Sequence, residues 1–448
     1  MKHYSEIKHA FEQFLLAKSS QLPHASEIAY LLKNIRNENQ EEFRETLGRI
    51  PNDIRGEVLL ELSEKLKEEA IEYYSTDELA EAVEGLDSDD AAELIENIVE
   101  VDEGKSEAVY EQLDEEDRDD IDKIRSYQED QAGAWMQTEL FEATLDETVH
   151  EAIARLKRLK EEDEIENVHQ LYIVNDEHRL VATVALEDMI LMDFDRTFRE
   201  QLGTKAFRAV KATDDIDEVA TIFEQYDVSV LPVIDHDSRL VGRITSDDIY
   251  DVIEERATEQ IYNLAGVNDE VEQEEDIRGV FKNRAGWLFI NLLTAILASA
   301  VIGLFDATIA AYVPLAILMP IVASMGGNAG TQTLTVMVRQ MALGEIEFGN
   351  ARSALYKEIA VSLLNGLLFA LVMGVIAWGW FQQPLLGAVI GMAMIINLFI
   401  AGFFGASIPL VLKRLNIDPA VGSTVLLTTA TDVFGFFSFL GLAKVILL

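Results

Sequence analysis

The spacing of apolar positions changes twice along the chain, and each change predicts a different kind of structure. Between residues 26 and 130, Leu, Ile and Ala recur at a helical period of about 3.6 in short runs. Each run opens with cap-type residues and with acids in the first turn, where the helix dipole favours them. Pro51-Asn52-Asp53-Ile54, Ser75-Thr76-Asp77-Glu78, Asp87-Ser88-Asp89-Asp90 and Asp114-Glu115-Glu116-Asp117 are such openings. Short helices stacked as in a solenoid are expected. From about Trp135 the pattern becomes that of strands: Leu171-Tyr172-Ile173-Val174 and Val181-Ala182-Thr183-Val184, followed by helical Glu187-Asp188-Met189-Ile190. The same order returns about 60 residues later, as Val230 to Asp235, Leu240 to Thr245, then Asp247-Asp248-Ile249, so a small α/β unit is duplicated. A charged, helix-rich stretch from Tyr250 to Lys282 follows.

From Trp287 the polar positions almost vanish. Trp287–Phe305, Ile309–Ser324, Ile359–Phe381, Leu385–Leu412 and about Ala420–Leu448 are each near the roughly 20 residues that cross a bilayer, although the second is short. That second run leads into Met325-Gly326-Gly327-Asn328-Ala329-Gly330-Thr331-Gln332. Polar, glycine-rich backbone at membrane depth is tolerated only where protein or a water-filled cavity satisfies it, so a broken helix lining a pathway is expected.

Charge sharpens this division. Residues 1–280 hold 74 of the 80 Asp and Glu and 28 of the 36 Lys and Arg, a net of −46, whereas residues 281–448 carry a net of +2. A solvated part joined to a membrane part is implied. An acidic surface repels nucleic acid and attracts cations; its plainer reading is a solubilising or halophilic surface. The chain has no cysteine, which excludes disulfides and thiolate metal sites. Met1 to Lys18 reads as a charged amphipathic stretch rather than a signal peptide.

Basic residues give an orientation. Lys282 and Arg284 precede the first span, Arg339, Arg352 and Lys357 lie between spans two and three, and Lys413 and Arg414 between four and five. The other two loops have none, so the N-terminus is expected in the cytoplasm and the C-terminus outside. Lys444 dissents, as a lysine near a helix end that can snorkel.

Asp432 lies inside an otherwise uncharged span. A carboxylate at a helix centre costs about 2.5–3.5 kcal/mol on insertion scales, and such residues usually face a pathway. The plainer alternative is an Asp hydrogen-bonded within the bundle or lying near an interface. A single carboxylate there suits a divalent cation that keeps most of its water. Gly326 and Gly327 carbonyls and the Asn328 side chain are candidate acceptors for the ion's waters.

The duplicated unit resembles a tandem CBS pair, most specifically over Val230 to Ile253. The whole order, from about residue 26 to the end, resembles the MgtE family of magnesium channels and transporters, with Pro320 to Gly344 and Thr431-Asp432-Val433 followed by Gly435 as its sharpest matches. The resemblance implies a multidomain integral membrane protein: an all-α superhelical domain over 1–130, an α/β tandem CBS domain over 131–254, a connecting plug-type helix over 255–282, and an all-α five-helix transmembrane pore domain over 283–448. It further implies a homodimer in the plasma membrane with the pore at the dimer axis, conducting Mg2+, and Mn2+ or Co2+ as further transported ions. Thr331, Thr424 and Thr428 stand where the family can have Asn, Asn and Ala.

Gating by cytoplasmic magnesium is also implied, at Asp89, Glu93, Asp215, Asp217, Asp227, Asp248, Asp251 and Glu259. Facing carboxylates repel, and a divalent ion bridges them. Arg256 and Gln260 replace two acidic linker positions, where an arginine can substitute a built-in salt bridge for an ion bridge and so weaken or remove the magnesium feedback. For any single acid, the alternative is a solvated surface charge. ATP at the CBS pair would use Asp188, Asp248 and Thr245, against the charge of Glu187 and without an aromatic platform at Val228. His169, His178 and His236 are read as surface residues. No phosphate-cradling loop of the Walker type is present, so an enzyme is not expected. The competing classes are a non-transporting membrane sensor of ions or nucleotides, and a CBS-linked chloride channel, which a lone intramembrane Asp disfavours.

Overall fold

The structure, a computed structural model, describes residues 4–16, 23–161, 165, 167–203, 207–267, 277–346 and 349–448. Residues 268–276 of the expected connecting helix, and parts of the opening amphipathic stretch, lie outside them. The chain divides into two units, Met1–Glu255 and Arg256–Leu448.

The first unit opens with the short helices that the caps predict: α1 (Tyr4–Leu15), α2 (Ala25–Glu38), α3 (Gln40–Leu47), α4 (Arg55–Leu60), α5 (Glu64–Tyr73), α6 (Thr76–Glu84), α7 (Ser88–Val101), α8 (Glu103–Tyr110) and α9 (Glu115–Arg125). Ser75 and Glu78 form a reciprocal capping box at α6, and Asp102 and Asp114 cap α8 and α9. Each helix is too short to stand alone and is held by its apolar stripe, such as Leu94, Ile95 and Ile98 of α7.

Two copies of one α/β unit follow. The first contains β1 (Glu142–Thr144), α10 (Val149–Glu161), β2 (Gln170–Val174), β3 (Leu180–Ala185), α11 (Leu186–Ile190) and α12 (Phe198–Gln201). The second contains β4 (Val210–Lys211), α13 (Ile216–Tyr226), β5 (Val230–Ile234), β6 (Leu240–Thr245) and α14 (Ser246–Ala265). Each sheet has three strands, a parallel pair followed by an antiparallel one. The copies agree in their turns: Asn175 and Asp235 each accept from two backbone N–H groups ahead, and His178 and Ser238 take the left-handed conformation. The two turns exchange backbone bonds, Leu180 N–H to Ser238 and Leu240 N–H to His178, both at 3.1 Å. The helical array shares one apolar core with the second copy, through Val219, Leu231, Ile244 and Ile249, while the first copy is centred on its own core around Phe141, Ile173 and Phe198.

The second unit holds α15 (Ile277–Gly303), the short α16 (Asp306–Ala311), α17 (Pro314–Ala342), α18 (Ala351–Phe381), α19 (Pro384–Arg414) and α20 (Ser423–Leu447). Helices α15, α18, α19 and α20 are long and apolar enough to cross a membrane. Helix α17 matches them in length, with 29 residues, and carries a run of polar side chains from Ser324 to Thr335. The expected break in the Gly326–Gln332 segment is absent: α17 runs through it without interruption, and the chain breaks earlier, at Tyr312-Val313. The glycines serve close packing instead, since a Cβ on Gly330 would lie 2.8 Å from Leu427 and one on Gly405 would lie 2.9 Å from the Gly330 carbonyl. In lipid, where apolar area gives no drive between helices, such small-residue contacts are what hold helices together.

Candidate ion site and acidic cluster

Two contacts fix the relation of α17 to α20. Gly326 and Gly435 both press on Asn397 of α19, and Gly330, one turn further along α17, presses on Leu427, about two turns earlier on α20. Numbers rise along one helix as they fall along the other, so the two are antiparallel. Asn328 and Asp432 lie between these two levels, at the same depth.

The polar residues of α17 at this depth form a stripe. Ser324, Asn328, Thr331, Gln332 and Thr335 recur at helical spacing and are all exposed. Asn328 Nδ2 lies 3.3 Å from Ser324 Oγ. On α20, Thr424, Thr428 and Asp432 are spaced i, i+4, i+8 and are half-buried. Among the described residues no hydrogen bond or ion pair reaches the Asp432 carboxylate, so the alternative of an Asp hydrogen-bonded inside its own bundle does not apply within one protomer. Gly326 is buried and Gly327 has open space beside it. Their carbonyls lie in the helix ladder rather than in a loop, which leaves the side chains as the groups projecting from this face. Glu358, a buried carboxylate, lies near the start of α18 and well removed in sequence from this stripe.

The end of α14 is held at the start of α20. Thr424 Oγ1 donates to the Leu264 carbonyl at 2.6 Å, and Asn263 Nδ2 donates to Asp418 Oδ2 at 2.8 Å. Trp287 packs against Gly266 and Gly422, both in the left-handed conformation that a side chain would strain. Glu259 is exposed and accepts from Asn263 Nδ2 at 3.1 Å.

In the first unit the predicted acids separate into those that meet and those that do not. Asp89 and Asp248 face each other across the helical array and the second α/β copy. Burial and the Asp248 charge push Asp89 well above the carboxylate range. Burial, together with Glu93 and Asp248, pushes Asp90 up to about 7. Asp248 is pushed up to about 6 by burial, despite accepting from Thr245 Oγ1 at 2.7 Å. Asp251 is raised by burial and by Glu254 and Asp247. Glu93 has a cation already, Lys67, at 3.7 Å. Asp215 caps α13 and accepts from the Asp217 N–H at 2.8 Å, while Asp227 ends the same helix. An 11-residue helix is about 16 Å long, so these two ends cannot share one ion. Asp188 lies in α11, and Thr245 is buried, its hydroxyl spent on Asp248.

Sequence reading missed Asp90, Glu139, which is raised by burial while holding Ser88 at 3.0 and 3.1 Å, and Asn397. Asn397 alone left a signal, as an amide inside an apolar run.

Comparison with known proteins agrees with this architecture. Residues 319–442 match the family described as divalent cation transporter, MgtE; residues 23–130 match the MgtE intracellular N domain, and residues 200–255 a CBS domain. The magnesium transporter MgtE of Thermus thermophilus is 33% identical over 338 residues, covering 75% of this chain and 74% of its own. The protein of that name from Enterococcus faecalis is 31% identical over 329 residues, 73% of this chain and 72% of its own. Among solved structures, the cytosolic domain of the Mg2+ channel MgtE in complex with ATP matches with a TM-score of 0.50 at 26% identity, over 56% of this chain and all of that one. The chain belongs to the MgtE family of magnesium transporters, multi-pass membrane proteins whose work is transport rather than catalysis.

Proposed function

We propose that this chain conducts magnesium through a pore at the axis of a homodimer in the plasma membrane, with its N-terminus cytoplasmic and its C-terminus outside. The polar stripe from Ser324 to Thr335, exposed on a membrane-length helix at the depth of an unpartnered Asp432, carries this reading. Amides, hydroxyls and a carboxylate facing hydrocarbon each cost several kcal/mol, at the upper end of the range for unsatisfied polar groups. A second copy across a two-fold axis covers the stripe and leaves a hydrated passage lined twice by Asn328, Thr331, Thr424, Thr428 and Asp432. Two carboxylates facing a water-clad cation suit an ion that sheds its waters reluctantly. Mn2+ and Co2+, divalent and similarly hydrated, are further cargo.

The acids of the first unit supply the gate. Asp89, Asp90 and Asp248 are desolvated and crowded, and a divalent cation restores their charged forms. Asp251 and Glu93 flank this site; Asp215 with Asp217, Asp227, and Glu259 serve as separate exposed positions. The signal runs along α14, which carries Asp248 near one end and Leu264, bound by Thr424, near the other. The ATP complex of a relative's cytosolic domain supports nucleotide binding at the CBS pair through Asp188 and Thr245, which then competes with the Thr245–Asp248 bond.

The deciding experiment is Asp432→Ala in proteoliposomes. Magnesium uptake is expected to vanish while the dimer persists in detergent; uptake at the unmutated rate removes the pore assignment and leaves the non-transporting sensor.

A further inference from the structure

Asn397 sits within α19, a 31-residue apolar helix, and is 0% exposed. Its Nδ2 donates to the Val322 carbonyl of α17 at 2.6 Å, whereas its Oδ1 is buried with no donor among the described residues. The amide fills a gap kept by two glycines. A Cβ on Gly326 would lie 2.5 Å from Nδ2, and one on Gly435 would lie 2.7 Å from Oδ1. Gly435 is one turn from Asp432, and Gly326 is two residues from Asn328.

The unsatisfied buried acceptor costs about 1–3 kcal/mol, against the roughly 0.5–1.5 kcal/mol that the bond to the Val322 carbonyl contributes. Leucine would fill a similar volume with neither term, so stability alone does not account for an amide here.

We infer that Asn397 is a positioning residue of the ion site: it fixes the spacing of α17 and α20 at the Gly326–Gly435 level and sets its free carbonyl oxygen beside the passage. This rests on the pore reading above. A planar amide held by the Val322 carbonyl and clasped by two glycines admits one spacing. Its oxygen, the negative end of a fixed dipole in a medium of low dielectric, favours a cation over an anion at this depth.

The test reconstitutes the full chain in proteoliposomes as the unmutated protein, Asn397→Leu, Asn397→Asp and Gly435→Ala, and measures magnesium and calcium uptake separately, with thermal unfolding in detergent alongside. Asn397→Leu is expected to unfold no earlier than the unmutated protein, yet to lose about tenfold in magnesium uptake, the worth of one polar interaction, and to lower the magnesium-to-calcium ratio. Asn397→Asp, whose protonated acid offers the same donor and acceptor, keeps uptake within about threefold. An Asn397→Leu protein with unmutated rate and ratio overturns the inference. Should that variant fail to fold, Gly435→Ala decides: its methyl presses on Oδ1, a lowered ratio supports the inference, and an unchanged ratio overturns it. Asp432→Ala separates the two ideas. If it is inert while Asn397→Leu is unaffected, only the role of Asn397 falls; if it transports normally, the pore reading falls and takes this inference with it.

Discussion

The two units hide opposite things. In Met1–Glu255 the apolar side chains are inside and the surface is crowded with carboxylates; in Arg256–Leu448 side chains such as Leu288, Leu364 and Leu371 are two-thirds exposed and the polar groups are gathered on one stripe. Water is the solvent in the first case and lipid in the second, and the informative residues are those that violate the local rule. In the first unit these are half-buried, crowded acids, Asp89, Asp90 and Asp248. In the second they are the exposed Asn328 and Thr331 and the half-buried Asp432. On the function proposed above, a cation would resolve both violations, by neutralising crowded charge in one unit and by bringing its own water to the other.

Breaking the contrast at its sharpest point gives the largest effect, the loss of uptake on Asp432→Ala. Next is Gly402→Leu. A Cβ there would lie 2.0 Å from Ser362 Oγ between α18 and α19, so the substitution is expected to destabilise the membrane unit by about 3 kcal/mol or more, read by thermal unfolding in detergent. Gly379→Ala, on the same α18 but with nothing within 4 Å, is its control and should be neutral or slightly stabilising.

A pH scan of the first unit sharpens the comparison. Raised carboxylates mean that the fold binds more protons than the unfolded chain, so stability is full below about pH 4, the ordinary carboxylate value, and is lost as pH rises. With Asp248 at about 6 and Asp90 at about 7, the loss extends to about pH 7. In chelator, the unfolding temperature of the full chain's soluble unit should drop by roughly 5 °C over that interval, a linkage effect on the order of 2 kcal/mol. Magnesium, or the double change Asp90→Asn with Asp248→Asn, should flatten the slope. A flat profile in chelator would remove the crowded-carboxylate account of the gate.

Legibility in the sequence followed the same division. The paired strands of both α/β copies were readable because period-two apolar runs recur with matching turn residues at Asn175 and Asp235. The membrane helices were readable where the apolar run is long; the second run, Ile309–Ser324, was misjudged, since it holds the end of α16, the break at Tyr312-Val313 and only the first part of α17. The continuity of α17 was not, since glycine reads as a breaker in water but as a packing surface in lipid. Asp90 and Glu139 were hidden by number: among 80 acids, which are buried depends on contacts such as Ser88 with Glu139, 51 residues apart. Asn397 was hidden by distance, for its partner Val322 is 75 residues away.

The smallest predicted effect tests whether the two violations are coupled. Thr424 and Asp432 share a face of α20, and the Thr424 hydroxyl is given to the Leu264 carbonyl of α14 rather than to its own helix. Thr424→Val keeps the shape and removes that bond, at a cost of about 1 kcal/mol, or about fivefold in an equilibrium. If α14 transmits the state of the acids, the magnesium concentration that halves uptake, measured against each protein's own uptake at low cytoplasmic magnesium, should rise by about that factor. Asn263→Ala, which removes the neighbouring tie to Asp418, should shift it in the same direction, and the double change should fall short of the sum because both bonds hold one helix end. A Thr424→Val protein with altered maximal uptake but unaltered feedback would place this hydroxyl in the passage alone.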